Sequence, residues 1–268
     1  MSYRTFFGFT KEPFLADLER GNILQTENLR GVYKRMCYAI RLGAISLVTG
    51  EVGAGKSTAL RWSTGQFHPS KYKVLWVTAS SGSVLEIYRQ ILVELNIRTA
   101  STSRAVLTRS IKEQIINLVT VKKLQPVLII DEASLLRLDV YSELHTLTQF
   151  DGDSKPWLPI ILAGQNNLAD NLLNRTAIPL SSRIVARSHM MATKREDMEK
   201  YIGHHLKIAG LKHSPFDDAA VTAVHQGSGG IFRKANHLAR GALVAATGEK
   251  SQSVTAEHVR LSSTELLF

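Results

Sequence analysis

Apolar positions along this chain keep a helical period, switch to short unbroken runs, and return to a helical period for the last quarter. Residues 27–42 place Leu29, Val32, Tyr33, Met36 and Ile40 on one face of a predicted helix, which Gly43 ends. Residues 44–48, 73–79, 127–130 and 158–164 are then dense in branched residues and predict buried strands. Helical stretches over 57–62, 84–95, 104–121 and 138–150 alternate with them. Residues 178–184 lead into 185–191, which carries Arg187 and His189. From about 194 the pattern is helical only, over 195–209, 216–226, 231–247 and 255–262, punctuated by glycines. Strands alternating with helices, then helices alone, predict an α/β domain followed by a small helical one. The boundaries read as an N-terminal segment and helix packed on the core (1–43), the α/β core (44–193) and the helical domain (194–268).

The first strand runs into Gly50-Glu51-Val52-Gly53-Ala54-Gly55-Lys56-Ser57-Thr58, which fits the phosphate-loop template G-x-x-x-x-G-K-[ST]. A triphosphate must be wrapped by backbone N–H groups, and glycines let the chain turn and approach that closely. The helix that follows points its positive end at the phosphates. Lys56 then reaches the β- and γ-phosphates of ATP and Ser57 holds Mg²⁺. About 75 residues on, Val127-Leu128-Ile129-Ile130-Asp131-Glu132 is a buried strand ending in two acids. Ligands bind at that end of strands in open α/β sheets. The pattern matches a Walker B strand, with Asp131 on Mg²⁺ and Glu132 activating the attacking water. The strand 158–164 ends in Gln165-Asn166-Asn167. Gln165 there contacts the γ-phosphate or the attacking water, or else Asn166 or Asn167 caps the next helix. Asp151-Gly152-Asp153-Ser154 looks like a piece of a calcium loop, but its glycine is misplaced and the closing Glu is missing. The histidines are too scattered for a metal site and read as surface or partly packed residues.

Charge narrows the class of partner. The net charge is +10 and the sequence pI about 9.8. Residues 61–130 hold ten Lys and Arg against three Asp and Glu, whereas 131–190 hold five against seven. Such a footprint points to a polyanion, most often nucleic acid, against a merely solvated basic face. No zinc-finger or recognition-helix signature is visible, so sequence-tolerant phosphate contacts to duplex DNA are expected. Arg98, Arg104, Arg109, Lys112, Lys122 and Lys123 are the candidates, chosen on charge. Cys37 is the only cysteine, which excludes an intrachain disulfide and a thiolate metal cluster. No run of about 20 apolar residues and no signal-peptide pattern is present. A cytoplasmic protein without a membrane partner is the expectation.

The opening Tyr3, Phe7-Gly8-Phe9 and Pro13-Phe14, both nucleotide motifs, and Leu162-Ala163-Gly164-Gln165 together resemble the AAA+ superfamily, more narrowly its ExeA-like ATPases. The aromatic opening either packs on the core or lies over the nucleotide base. The resemblance implies an αβα sandwich with a parallel sheet and a helical lid. Gly229-Gly230-Ile231-Phe232-Arg233 is similar to the sensor 2 segment G-x-P-R, with Phe232 where Pro is usual, and implies that Arg233 contacts nucleotide. Pro179-Leu180-Ser181-Ser182-Arg183 resembles the stretch that presents an arginine finger to a neighbouring subunit. Arg187 is the alternative finger, and an intramolecular ion pair the structural alternative. A finger acting across an interface implies a homo-oligomer, either ring or helical filament. The family divides between secretion-pathway ATPases and DNA-binding regulators of transposition similar to those of Tn7-, Mu- and IS21-like elements. The short chain and basic region favour the second, with a transposase and a target-selection protein as partners. An envelope-assembly ATPase without DNA binding is the alternative.

Overall fold

The structure is a computed structural model describing residues 2–264. Its elements run α1 (Tyr3–Phe7), α2 (Glu27–Leu42), β1 (Ile45–Gly50), α3 (Lys56–Gly65), β2 (Tyr72–Thr78), α4 (Val84–Glu94), α5 (Arg104–Thr120), β3 (Gln125–Asp131), α6 (Leu138–Thr148), β4 (Ile160–Gly164), α7 (Asn167–Leu173), α8 (Ile178–Ser181) and β5 (Ile184–Met190). Four helices close the chain: α9 (Arg195–Ile208), α10 (Asp218–Ser228), α11 (Phe232–Gly248) and α12 (Ala256–Thr264). They form two compact units. One comprises Glu27–Gly50 and Lys56–Met190; the other comprises Met1–Thr26, Glu51–Gly55 and Met191–Phe268.

The first unit holds one five-stranded parallel sheet in the order β2-β3-β4-β1-β5. Both faces of such a sheet are covered, so its inner strands are apolar nearly throughout. β1 and β4 are buried at every position, and β3 at all but Gln125. β5, at an edge, buries only alternate residues. Alternate strand positions supply Ile45, Leu47, Leu75, Leu128, Ile130 and Leu162 to one core, which they share with Tyr88, Leu107, Ile111 and Leu144 of α4, α5 and α6. The opposite face takes α2 and α3, which pack on each other and on β1, with α2 also against β5. Tyr33 lies edge-on to Trp62 at 5.6 Å and joins Phe67, which in turn meets Tyr72 at 5.0 Å. The unit is therefore an αβα sandwich.

The second unit is helical. Phe9 and Phe14 share its core with Met198, Ile202, Leu206, Phe216, Leu238 and Leu243. Phe14 stacks on His205 at 5.5 Å and stands edge-on to Phe216 at 6.2 Å. The Thr10 N–H and hydroxyl both donate to the Ala209 carbonyl, at 2.9 and 3.1 Å. The aromatic opening of the chain thus serves this core. His205 is not the surface or partly packed histidine expected from sequence. It lies on the inner face of α9 with Met198 and Ile202, and burial pushes its imidazole down to about 4. His258 is buried as well; its Nδ1 accepts from the Thr255 N–H at 2.9 Å. Phe14→Ala should cost about 3–5 kcal/mol, the range for truncating a buried aromatic, read as a lower urea midpoint.

Candidate nucleotide site

The phosphate loop begins where β1 meets the edge of the sheet. Gly50 lies opposite Met190 of β5, and a Cβ on it would come within 2.8 Å of Met190. Lys56, in the first turn of α3, is only 6% exposed, and its Nζ donates to the Gly50 carbonyl at 2.9 Å. Ser57 is exposed and Thr58 half-buried. Within the helical unit, Gly53 and Gly55 of the Glu51–Gly55 segment hold φ of 85° and 93°, a region that disfavours residues with a Cβ. The Gly53 carbonyl accepts from the Arg233 N–H at 3.3 Å, and a Cβ on Gly53 would meet the Arg233 Cβ at 2.6 Å. Arg233 is therefore anchored through its backbone to the segment that contains Val52 and Ala54.

Asp131 ends β3, and Glu132 follows it in the left-handed region at φ 54°, ψ 30°. A non-glycine residue there costs on the order of 1–3 kcal/mol, and such residues cluster at functional sites. The Asp131 carboxylate, 6% exposed, accepts from the Glu132 N–H at 2.9 Å. Strand register pairs Thr49 with Gly164, Ile130 with Leu162 and Thr78 with Asp131. The sandwich unit thus brings Gly50, Asp131, Glu132 and Gln165 to one edge, the carboxyl ends of its strands. Hard oxygen donors from Ser57 and Asp131 suit Mg²⁺.

Two residues that no motif flagged lock this edge. The Gln165 N–H donates to the Ser134 hydroxyl at 3.2 Å, and the Asn171 side-chain amide donates to the Ser134 carbonyl at 3.3 Å. A Cβ on Gly164 would sit 2.8 Å from the Ser134 nitrogen. The only sequence signal was a glycine closing a buried strand. Asn166 stands at the amino end of α7 without a side-chain cap hydrogen bond. His189, to which no motif assigned a role, places its Nδ1 3.0 Å from the Thr49 hydroxyl, one residue before the loop.

Arg183 lies elsewhere. It precedes β5, at the amino edge of the sheet, and its carbonyl accepts from the Ile45 N–H at 3.0 Å. The seven residues of β5 separate it from the level of Gly50 by about 20 Å or more. Its guanidinium bonds the Asp153 carboxylate at 2.5 Å and holds that carboxyl below its ordinary range. Asp153 is the last of three consecutive left-handed residues, after Asp151 and Gly152. The intramolecular ion pair weighed for Arg183 is thus formed. Arg187 sits in mid-strand opposite Leu47, exposed on the edge strand.

The six basic candidates do not share one surface. Arg104 pairs with Glu143 at 3.5 Å and Arg109 with Glu113 at 2.7 Å. Lys112 donates to the Gln149 carbonyl at 2.9 Å, close to the Phe150 ring. Lys122 and Lys123 follow the far end of the 17-residue α5, about 25 Å from Arg104. Arg98 lies exposed in the α4–α5 loop. Among the described residues no His, Cys, Asp and Glu group forms a metal cluster, and no helix is long and apolar enough to cross a membrane.

Residues 40–172 match the AAA domain family. The chain is 27% identical to general secretion pathway protein A of Aeromonas hydrophila, over 98% of this chain and 48% of that protein. It therefore spans about half the length of that relative. It is also 27% identical to the ATP-dependent target DNA activator B of Escherichia phage Mu, over 92% of this chain and 74% of that one. The crystal structure of Cdc6p from Pyrobaculum aerophilum superposes with a TM-score of 0.71 at 18% identity, covering 99% of this chain and 71% of that one. The fold is the P-loop αβα fold shared with Cdc6p, and the chain resembles both the secretion pathway protein and the Mu activator.

Gly164→Ala should cost about 1–3 kcal/mol, because the Ser134 backbone cannot retreat without breaking the Gln165 contact. Gly203→Ala, in helix α9 with open space around it, should instead gain about 0.5–1 kcal/mol. Urea midpoints of the two variants check both signs.

Proposed function

We propose that this chain, whose residues 40–172 are an AAA domain, is an ATPase that assembles on duplex DNA when ATP and Mg²⁺ are bound, and that regulates transposition by recruiting or activating a transposase. The placement of Arg183 carries the assembly part. It stands at the sheet edge opposite Gly50 and Asp131, too far to serve the site of its own sandwich, so a finger role for it calls for the phosphates of another copy. The resemblance to the Mu activator and the +10 charge support the DNA part.

In this reading the loop from Gly50 to Thr58 wraps the phosphates with backbone N–H groups. Lys56 gives up the Gly50 carbonyl, in whole or part, for the γ-phosphate oxygens. Ser57 and Asp131 hold Mg²⁺, which when bound neutralises phosphate charge as the terminal bond breaks. Glu132 orients water, and Gln165 is held near it by Ser134. Arg233 meets the phosphates as sensor 2. Arg183 exchanges Asp153 for a neighbour's transferring phosphoryl group, and hydrolysis dismantles the assembly. The similarity to the secretion protein over 98% of this chain favours a second reading, an envelope-assembly ATPase without DNA binding.

Electron microscopy with Mg²⁺ and a slowly hydrolysed ATP analogue separates the two. Rings or filaments that need duplex DNA support the first; assemblies indifferent to DNA overturn it. Glu132→Gln should leave nucleotide binding intact and trap the DNA-bound oligomer, whereas Lys56→Ala should abolish both. Arg183→Ala should lower the steady-state ATPase rate by about 10³-fold or more. Adding Glu132→Gln subunits, which assemble without turning over and bring an intact Arg183, should restore part of that rate if the finger acts between copies. An Arg183→Ala protein with normal turnover would remove the finger role.

A further inference from the structure

The two helical layers of the sandwich unit differ in charge. Residues 27–83, which hold α2, α3 and β2, carry eight Lys and Arg against two acids, Glu27 at the start of α2 and Glu51 of the phosphate loop. Residues 84–182, which hold α4 to α8, carry ten of each. The basic excess of this unit therefore belongs to the α2–α3 layer.

Within that layer the cations are aligned. Arg30, Lys34 and Arg41 fall within about 40° of one another around α2, and the stripe is about 16 Å long. All three are exposed, as is Arg35 beside them. At the end of the stripe Arg41 lines a groove with Cys37, Ile40, Lys71, Tyr72 and Gln125, so Lys71 extends it onto the turn before β2. Among the described residues, Lys34, Arg35, Arg41 and Lys71 enter no ion pair. The half-buried rings of Tyr33, Phe67 and Tyr72 stand between α2 and the α3–β2 turn and stiffen the platform.

We infer that this face, Arg30-Lys34-Arg41 of α2 with Lys71, is the surface on which the backbone of duplex DNA runs. The inference rests on the DNA-binding reading above and gives that binding a location. The stripe spans the rise of about five base pairs, and a row of separate cations on a rigid helix suits a row of phosphates. A lipid surface fits it less well. Of the apolar residues of α2 only Tyr38 and Leu42 face outward, while Leu29, Val32, Met36 and Ile40 are buried in the fold, and a helix lying in a bilayer interface needs a continuous apolar face outward.

The test is fluorescence anisotropy of a labelled duplex with the full chain, Mg²⁺ and a slowly hydrolysed ATP analogue, over a salt series. The variants are Lys34→Glu/Arg41→Glu/Lys71→Glu, the neutral Lys34→Gln/Arg41→Gln/Lys71→Gln, and a control, Lys122→Glu/Lys123→Glu. Circular dichroism and nucleotide affinity check folding; if the reversal variant misfolds, the neutral one decides. Affinity should fall at least tenfold in the first two variants and hold within about twofold in the control. The slope of log affinity against log salt should become shallower by about 3, as for three lost phosphate contacts. Unchanged affinity and slope in both α2 variants, with wild type binding DNA, would overturn the surface while leaving the DNA-binding reading intact. No duplex binding by wild type would overturn that reading and this inference with it. Binding of wild type to anionic phosphatidylglycerol vesicles but not to duplex, lost in the α2 variants, would assign the face to membrane instead.

Discussion

Everything at the nucleotide edge depends on β1 lying inside the sheet. Its connection leaves for β2 at one edge, while β4 sends its chain to β5 at the other. Right-handed crossovers in opposite directions put α3 on one face and α7 and α8 on the other. The crevice left between such divergent connections, at the carboxyl ends of the strands, is where open α/β sheets bind ligands. Gly50 opens onto it from β1, Asp131 from β3 and Gln165 from β4. Moving β1 to an edge would leave the loop in place but take the carboxylates away from its side.

The order of strands also explains why precision concentrates at a few contacts. Asp131, Glu132 and Ser134 follow one another through a strained turn at the end of β3. Ser134 then reaches across to β4 through the Gln165 N–H, and Gly164 lets it come that close. Gln165 is thus held at the end of a rigid strand by the bond from its N–H to the Ser134 hydroxyl rather than in a free loop.

Much of this was legible beforehand, for a physical reason. A parallel strand buried on both faces reads as an unbroken apolar run, so β1, β3 and β4 stand out, and the two motifs fall at their ends. β5 was harder, since an edge strand alternates and its outward Arg187 and His189 resemble loop residues. The short helices α7 and α8 have too few turns to show a period. His205 was misplaced because a polar residue on an inner helical face differs from a surface one only by its neighbours, here Phe14 and Tyr201, distant in sequence. Ser134 and Asn171 carry no signature at all, because their role is a contact and not a composition.

Charge was the subtlest case. A window along the sequence adds residues that the fold separates. The +7 of residues 61–130 mixes Arg61 and Lys71 with Arg104 and Arg109 from the opposite layer, and Glu143, which pairs with Arg104, lies outside the window. Once the sandwich is formed, the acids sort with α4 to α8 and leave the α2–α3 layer almost without them. Neighbouring like charges such as Lys34, Arg35, Arg41 and Lys71 repel one another, and salt screens that only beyond about 10 Å. Folding alone gives no return for this repulsion: the apolar side of α2 would pack equally well beneath Gln or Glu at its exposed positions. A dense field of one sign is favourable when it meets the opposite sign, and the released counterions of a polyanion supply that free energy.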